Sequence, residues 1–209
     1  AIINADDAFA PWWDSMAAHC QRIRFGFDAG ADVRAEGLSG EPADAPTHTR
    51  FRLLAFGERH EVRLPLPGRH NVLNALAAAA VGYALNLPGE RIADGLSHVV
   101  APAGRLVWHE TRLGARVLDD SYNANPGSLA AGLALLGQAR GHRVLVLGDM
   151  AELGDAAERL HMEAGLAARQ AGVSRLYVAG RYARHAATAF GAGAEVFDEV
   201  DTLNARLLS

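Results

Sequence analysis

Lysine is missing from this chain of 209 residues: all 20 of its basic residues are arginine. That excludes a GxxxxGK[ST] phosphate loop within it, so any lysine chemistry must come from elsewhere. Cysteine is nearly missing as well. Cys20 stands alone, which rules out an internal disulfide and fits a reducing compartment, so a cytoplasmic location is expected. Long hydrophobic runs are lacking: Ala75 to Val81 is among the longest, far short of the roughly 18 residues of a bilayer span. The first residues carry no basic signal-like region, and no membrane insertion is expected. There is no basic excess either. With 20 basic and 24 acidic residues the formal charge is -4, and no basic stripe favours nucleic acid, so the expected partner is a small molecule.

What is present is a half-apolar composition, enough for one large or two small cores. The chain opens without methionine at Ala1-Ile2-Ile3-Asn4, which reads as the end of a buried strand entering the acidic turn Ala5-Asp6-Asp7. A cut inside a domain is expected. From Arg22 to Leu66 apolar and charged residues alternate, as in Arg22 to Phe27, Arg50 to Leu53 and Glu61 to Leu64, which predicts half-buried antiparallel strands. Gly57-Glu58 reads as a hairpin turn, and Gly37 to Pro46 as a surface loop. After Pro67-Gly68, Leu73, Leu76, Ala77, Ala80 and Ala84 recur at helical spacing until Asn86-Leu87-Pro88, and a second short helix is predicted over Glu90 to His98. Val100 to Gly104 has a linker's composition, and the expected domains are 1–101 and 102–209.

Past the linker, strand-like and helix-length segments alternate: Arg116 to Leu118, Ser128 to Ala139, Arg143 to Leu147, Asp155 to Ala171, Arg175 to Val178, Tyr182 to Phe190 and Glu195 to Phe197. This predicts an α/β fold whose C-terminal domain is Rossmann-like with a mostly parallel sheet. The apolar run Val144 to Leu147 argues for cover on both faces. In such a sheet, ligands gather beyond the carboxyl ends of the strands. Three loops qualify: Asp119 to Gly127, Gly148 to Gly154, and Gly180-Arg181-Tyr182.

The first of these loops is the most polar, with Asp119-Asp120-Ser121-Tyr122-Asn123-Ala124-Asn125 in one turn where a structural loop needs a single cap. Asp120 could accept hydrogen bonds from a ribose diol, and Asp119 could simply close the strand. Tyr122, Asn123 and Asn125 would suit a peptide-like zwitterion. Gly148-Asp149 reads equally as turn chemistry, with Asp155 and Glu158 as a cap and its reciprocal partner. Asn71 and Asn74, three residues apart at the start of the long helix, offer carboxamides that can pair with an adenine edge or act as caps. His70 reads rather as a polar surface residue. Arg105 could grip phosphate oxygens or form a surface salt bridge.

Asn4-Ala5-Asp6-Asp7, Gly68 to Ala75, Gly104-Arg105-Leu106, Asp119 to Ser128 and Leu147 to Gly154 occur in this order over the whole chain. Together they resemble the Mur ligases of peptidoglycan assembly. The DDSYNANP and GDMAELG forms are similar to those of the branch that adds D-alanyl-D-alanine to UDP-N-acetylmuramoyl-tripeptide. The resemblance implies an ATP-driven amide ligation through an acyl phosphate, with Mg2+ and a lysine-bearing phosphate loop preceding Ala1. It makes 1–101 the tail of a central ATPase domain with antiparallel strands and helices, and it implies that this chain alone does not ligate. By the resemblance, Asn71, Asn74, Arg105 and Asp120 bind the nucleotide and Tyr122, Asn123 and Asn125 border the dipeptide. Catalytic residues and metal ligands are expected outside the chain. The rival readings are another Mur or folylpolyglutamate-type ligase and a non-catalytic nucleotide-binding module.

Overall fold

Residues 1–43 and 46–208 are described by a computed structural model. The chain divides into two compact units, Ala1–Pro102 and Ala103–Ser209.

In the first unit, period-two alternation builds a five-stranded sheet in the order β1-β2-β3-β4-β5, formed by Ile2–Asn4, Ile23–Gly26, Val33–Glu41, His48–Ala55 and Glu58–Leu64. The inward residues Phe51, Leu53, Val62 and Leu64 are buried, while their neighbours Arg50, Arg52, Glu61 and Arg63 face solvent. Each fully buried side chain of this size stabilises by about 1.5–3 kcal/mol. β4 and β5 meet in a hairpin with Ala55 opposite Glu58. Phe56 and Gly57 both take positive φ there, of 49° and 86°, the geometry whose twist matches the flanking strands.

The sheet is mixed, which corrects the antiparallel expectation for Arg22 to Phe27: β2 pairs parallel with both β1 and β3. Alternation reports a half-buried face and is blind to strand direction. The loop expected over Gly37 to Pro46 is also corrected. Gly37–Glu41 continues β3 past a bulge between Glu36 and Ser39 and pairs with β4 up to Glu41 and His48. Leu38 is its single apolar residue, so no alternation marks it, and Glu41 is held by Arg50 at 3.0 Å and Arg63 at 3.6 Å. Asp44 and Ala45 of that stretch lie outside the described residues.

Helix α1 (Ala10–Met16) was not foreseen, whereas α2 (Arg69–Ala84) and α3 (Gly89–Ser97) match the periodic segments. The buried stripe of α2 is Val72, Ala75, Leu76, Ala79 and Ala80. It keeps Leu76 and Ala80 of the expected stripe but takes Val72, Ala75 and Ala79 in place of Leu73, Ala77 and Ala84, because in an alanine-rich helix the few large residues mark the face poorly.

In the second unit, β8 (Val144–Leu147), β9 (Arg175–Ala179) and β10 (Ala194–Phe197) form a parallel sheet in the order β10-β9-β8. Helices α4 (Pro126–Leu136), α5 (Ala157–Gln170), α6 (Ala183–Phe190) and α7 (Val200–Leu207) alternate with these strands. Leu133, Leu147, Ala164, Leu176, Val178 and Phe190 share its core, and α7 adds Leu203 against Tyr177 and Ala179 on the opposite face.

Two expectations change here. β7 (Arg116–Asp119) is not a strand of that parallel sheet; it forms an antiparallel ribbon with β6 (Val107–Glu110), a strand the sequence reading missed. Nor is β8 covered on both faces: Val144 and Val146 are 41% and 47% exposed. Their face is the one α7 covers only over β9 and β10.

Candidate functional site

In the first unit, the carboxyl ends of β1 and β2 are tied to each other. Asp6, two residues past β1, accepts the backbone N–H groups of Phe27 at 2.9 Å and Asp28 at 3.1 Å, just past β2. A side chain at Gly26 would approach the Asp6 carboxylate within 2.8 Å, so that glycine is required by the staple. The Arg69 guanidinium then lies 3.5 Å over the Phe27 ring, which brings the start of α2 to the same strand ends. Strand ends and a helix start converging in this way make an edge of the kind where ligands bind.

Asn71 and Asn74 sit on this helix start. Asn71 Nδ2 donates to the Pro67 carbonyl at 2.8 Å, closing the turn into α2, while Asn74 is exposed one turn further on. His70 is not the free surface residue expected. It is half-buried beneath Gly68, whose φ is 95° and where an added Cβ would meet the ring at 2.8 Å. Burial lowers the affinity of its imidazole for a proton.

An apolar concavity lies elsewhere in the unit. A cavity of about 490 Å³ flanks β1, lined by Ile3, Trp13, Met16 and Cys20 among others. Beside it, Phe9, Trp12, Trp13 and Met16 of the α1 region are all about half exposed or more. It holds few groups that could orient a polar ligand.

In the second unit, the expected loop Asp119 to Gly127 joins Gly104-Arg105-Leu106 in a single cluster. Tyr122 N donates to the Gly104 carbonyl at 3.0 Å, and Leu106 N donates to the Asp120 carboxylate. Gly104 has a φ of 70°, and a Cβ there would press on Tyr122 N at 3.0 Å. Leu106, buried, also adopts a positive φ of 55°, a conformation that costs a residue with a Cβ about 1–2 kcal/mol. The Arg105 guanidinium lies 4.3 Å from the centroid of the Tyr122 ring.

The two adjacent carboxylates differ. Hydrogen bonds from the Ser121 side chain and backbone pull the Asp119 pKa down, and His109 adds a smaller attraction. Burial pushes the Asp120 pKa up, against the opposing pull of the Leu106 N–H and Arg105. Asp120 is therefore a partly desolvated acceptor beside a cation and an exposed ring.

Several polar groups of the loop are taken up by the fold. Asn125 caps α4: its Oδ1 accepts Ser128 N at 2.9 Å, and Ser128 Oγ accepts Asn125 N at 3.0 Å. Asn123 Oδ1 accepts Ala124 N at 2.8 Å, and both asparagines remain exposed. Arg105, Asp120 and Tyr122 thus form one group, with Asn123 and Asn125 further along the same loop.

The other two loops are stitched together. The Asp149 carboxylate accepts Arg181 N at 2.8 Å and Tyr182 N at 2.9 Å, in front of α6. Turn chemistry is therefore the part Asp149 plays. The cap expected from Asp155 and Glu158 does not form, since α5 begins after a short 3-10 turn without a side-chain cap. His161 instead holds that loop. It is 1% exposed, Nε2 accepts Met150 N at 3.0 Å, and Nδ1 lies 2.7 Å from the Ala157 carbonyl. Sequence reading passed over His161; a lone histidine on a helix's apolar face was its only signal.

Among the described residues, no group of three or more His, Cys, Asp or Glu side chains could hold a metal ion, and no helix is long and apolar enough to cross a membrane.

Comparison with known proteins adds the family. Residues 104–209 match the model of the Mur ligase glutamate ligase domain, and residues 1–82 match that of the Mur ligase middle domain. The UDP-N-acetylmuramoyl-tripeptide--D-alanyl-D-alanine ligase of Escherichia coli K12 is 38% identical over 95% of this chain and 43% of its own length. Its Bacillus subtilis counterpart is 32% identical over 79% of this chain and 35% of its own. A crystal structure of MurF from Acinetobacter baumannii superposes with a TM-score of 0.89 at 30% identity, covering 100% of this chain and 44% of that one. The chain thus spans less than half the length of these relatives.

Proposed function

The chain belongs to the Mur ligase family, and from that premise we propose that it is part of an ATP-dependent amide ligase joining D-alanyl-D-alanine to UDP-N-acetylmuramoyl-tripeptide. The observation that carries this reading is the cluster of Arg105, Asp120 and Tyr122 bound to the Gly104–Leu106 segment. In the reaction the tripeptide carboxylate attacks the terminal phosphorus of ATP, and ADP leaves. The amine of the dipeptide then attacks the acyl carbon, phosphate leaves, and the amine gives up a proton.

Each residue contributes through its chemistry. Without lysine, the chain can offer only arginine as a lasting cation for phosphate oxygens, and Arg105 has the planar donor array that suits them. Asp120, partly desolvated and still accepting from Leu106 N, fits a ribose diol, where hydroxyl donors would offset its burial. The amides of Asn71 and Asn74 lie at the start of α2 and fit the nucleotide. Tyr122, Asn123 and Asn125 stand on the loop proposed to border the dipeptide, with Asn125 contributing whatever its capping bond leaves open. Mg2+ would supply charge compensation on the phosphates; among the described residues no group of three or more His, Cys, Asp or Glu side chains is placed to hold it.

The test is phosphate release by the full gene product. ATP turnover should require both the UDP-linked tripeptide and D-alanyl-D-alanine. Turnover supported equally by a single amino acid, or none with the pair, would overturn the reading.

A further inference from the structure

We propose that Tyr122 is a positioning residue that acts on the nucleotide side by seating the Arg105 guanidinium, and not a direct contact to the dipeptide. The inference rests on the ligase reading above and revises the role that reading gives to one residue.

The geometry argues for it in three steps. First, the Arg105 guanidinium lies 4.3 Å from the Tyr122 ring centroid, within cation–π range. Stacking engages the π-face of a guanidinium and leaves its in-plane N–H donors available to an oxyanion. A ring seat therefore orders the arginine without occupying the groups that would grip phosphate.

Second, the backbone that carries the ring is held. Tyr122 N donates to the Gly104 carbonyl at 3.0 Å, and Gly104 adopts a φ of 70°, where a Cβ would press on Tyr122 N at 3.0 Å. The residue that carries the cation and the residue that seats it are thus clamped together through the backbone of the residue before Arg105. Leu106, at positive φ, closes the other side by donating to Asp120.

Third, the seat keeps Arg105 from collapsing onto Asp120. The two attract each other, yet Arg105 rests on the ring. An Arg105–Asp120 ion pair would engage the phosphate donor and the ribose acceptor with each other. Tyr122 is 67% exposed, so its large apolar ring is not there to fill a core.

The test uses the full gene product with Tyr122→Leu, Tyr122→Trp, Arg105→Ala and the Arg105→Ala/Tyr122→Leu double variant, reading ADP affinity by calorimetry and KM for ATP and for D-alanyl-D-alanine. Tyr122→Leu should weaken ADP binding and raise KM for ATP about two- to fivefold, the worth of an exposed cation–π contact. KM for the dipeptide should stay unchanged. Tyr122→Trp, which offers a better ring face, should bind ADP at least as tightly as the parent. In the Arg105→Ala background, Tyr122→Leu should have no further effect, because a residue acting through another is silent once that other is gone.

A rise in dipeptide KM alone, additive losses in the double variant, or weaker ADP binding by Tyr122→Trp would each overturn the proposal. A parent enzyme that binds ADP but shows no dipeptide-dependent turnover would instead count against the ligase reading, while the ADP data still decide the role of Tyr122.

Discussion

Asp119 and Asp120 are neighbours with opposite linkage to stability. Asp119 has a depressed folded-state pKa because its ionised form is hydrogen-bonded by Ser121. Its stabilisation is present above the unfolded carboxylate value and is lost as pH falls through the folded one. Asp120 has a raised pKa because burial disfavours its charge, so its contribution is present in acid and is lost as pH rises through the folded value. At neutral pH, Asp119→Asn should therefore lower the melting temperature, whereas Asp120→Asn should leave it equal or raise it while weakening ADP binding. As pH falls, the Asp120 difference should fade first, within or above the ordinary carboxylate range, and the Asp119 difference only below that range, because its folded pKa is depressed. Melting curves read by circular dichroism across that acid series check this. An Asp120→Asn variant clearly less stable than the parent at neutral pH would mean that Asp120 serves the fold rather than a ligand. Adjacent acids in a turn are legible in sequence; which of them is left desolvated is not, since that depends on Leu106 and Arg105 arriving from before β6.

At the scale of elements, close approach decides more than pattern. Gly165 on α5 faces Ala186 on α6 so closely that a Cβ would lie 2.1 Å from the Ala186 carbonyl oxygen, a backbone atom that moves only if a helix moves. Gly165→Ala should accordingly destabilise the second unit by about 1–3 kcal/mol, the usual range for overpacking, although alanine favours helices. Chemical denaturation would show it, and an unchanged or higher stability would refute the close packing. A glycine inside a helical pattern reads only as a propensity defect until the neighbouring helix is known. The stripe of α2 teaches a similar lesson: Leu73 and Ala77 fit the period as well as Val72 and Ala79, and only the packed sheet selects the latter. β6 escaped notice because Val107-Trp108-His109-Glu110 is short and lacks a repeated apolar face, and its partner β7 is half exposed.

At the scale of the whole molecule, each unit holds its own buried core, one centred on Phe51, Leu53 and Leu76 and the other on Leu176, Val178 and Phe190. Between them, Val99 and Val100 are 40% and 87% exposed. Limited proteolysis with an enzyme that cuts after aliphatic residues should cleave first near Val99-Val100 and yield two fragments that each retain cooperative unfolding. Initial cleavage inside either unit, or loss of structure in both fragments, would contradict independent cores.

The sequence by itself determined the alternation of strands and helices, the polar loops that follow the strands of the second unit, and, through motifs kept in order along the chain, the family. These are readable because local spacing controls local structure, and because loop chemistry sits within a few residues of the strand that presents it. Only the tertiary structure decided the parallel direction of β2, the tie from Asp149 to the Arg181-Tyr182 turn, the burial of His161 and the seating of Arg105 on Tyr122. Each of these turns on a partner supplied by another part of the chain or on how much water is excluded. Period and composition carry no record of either.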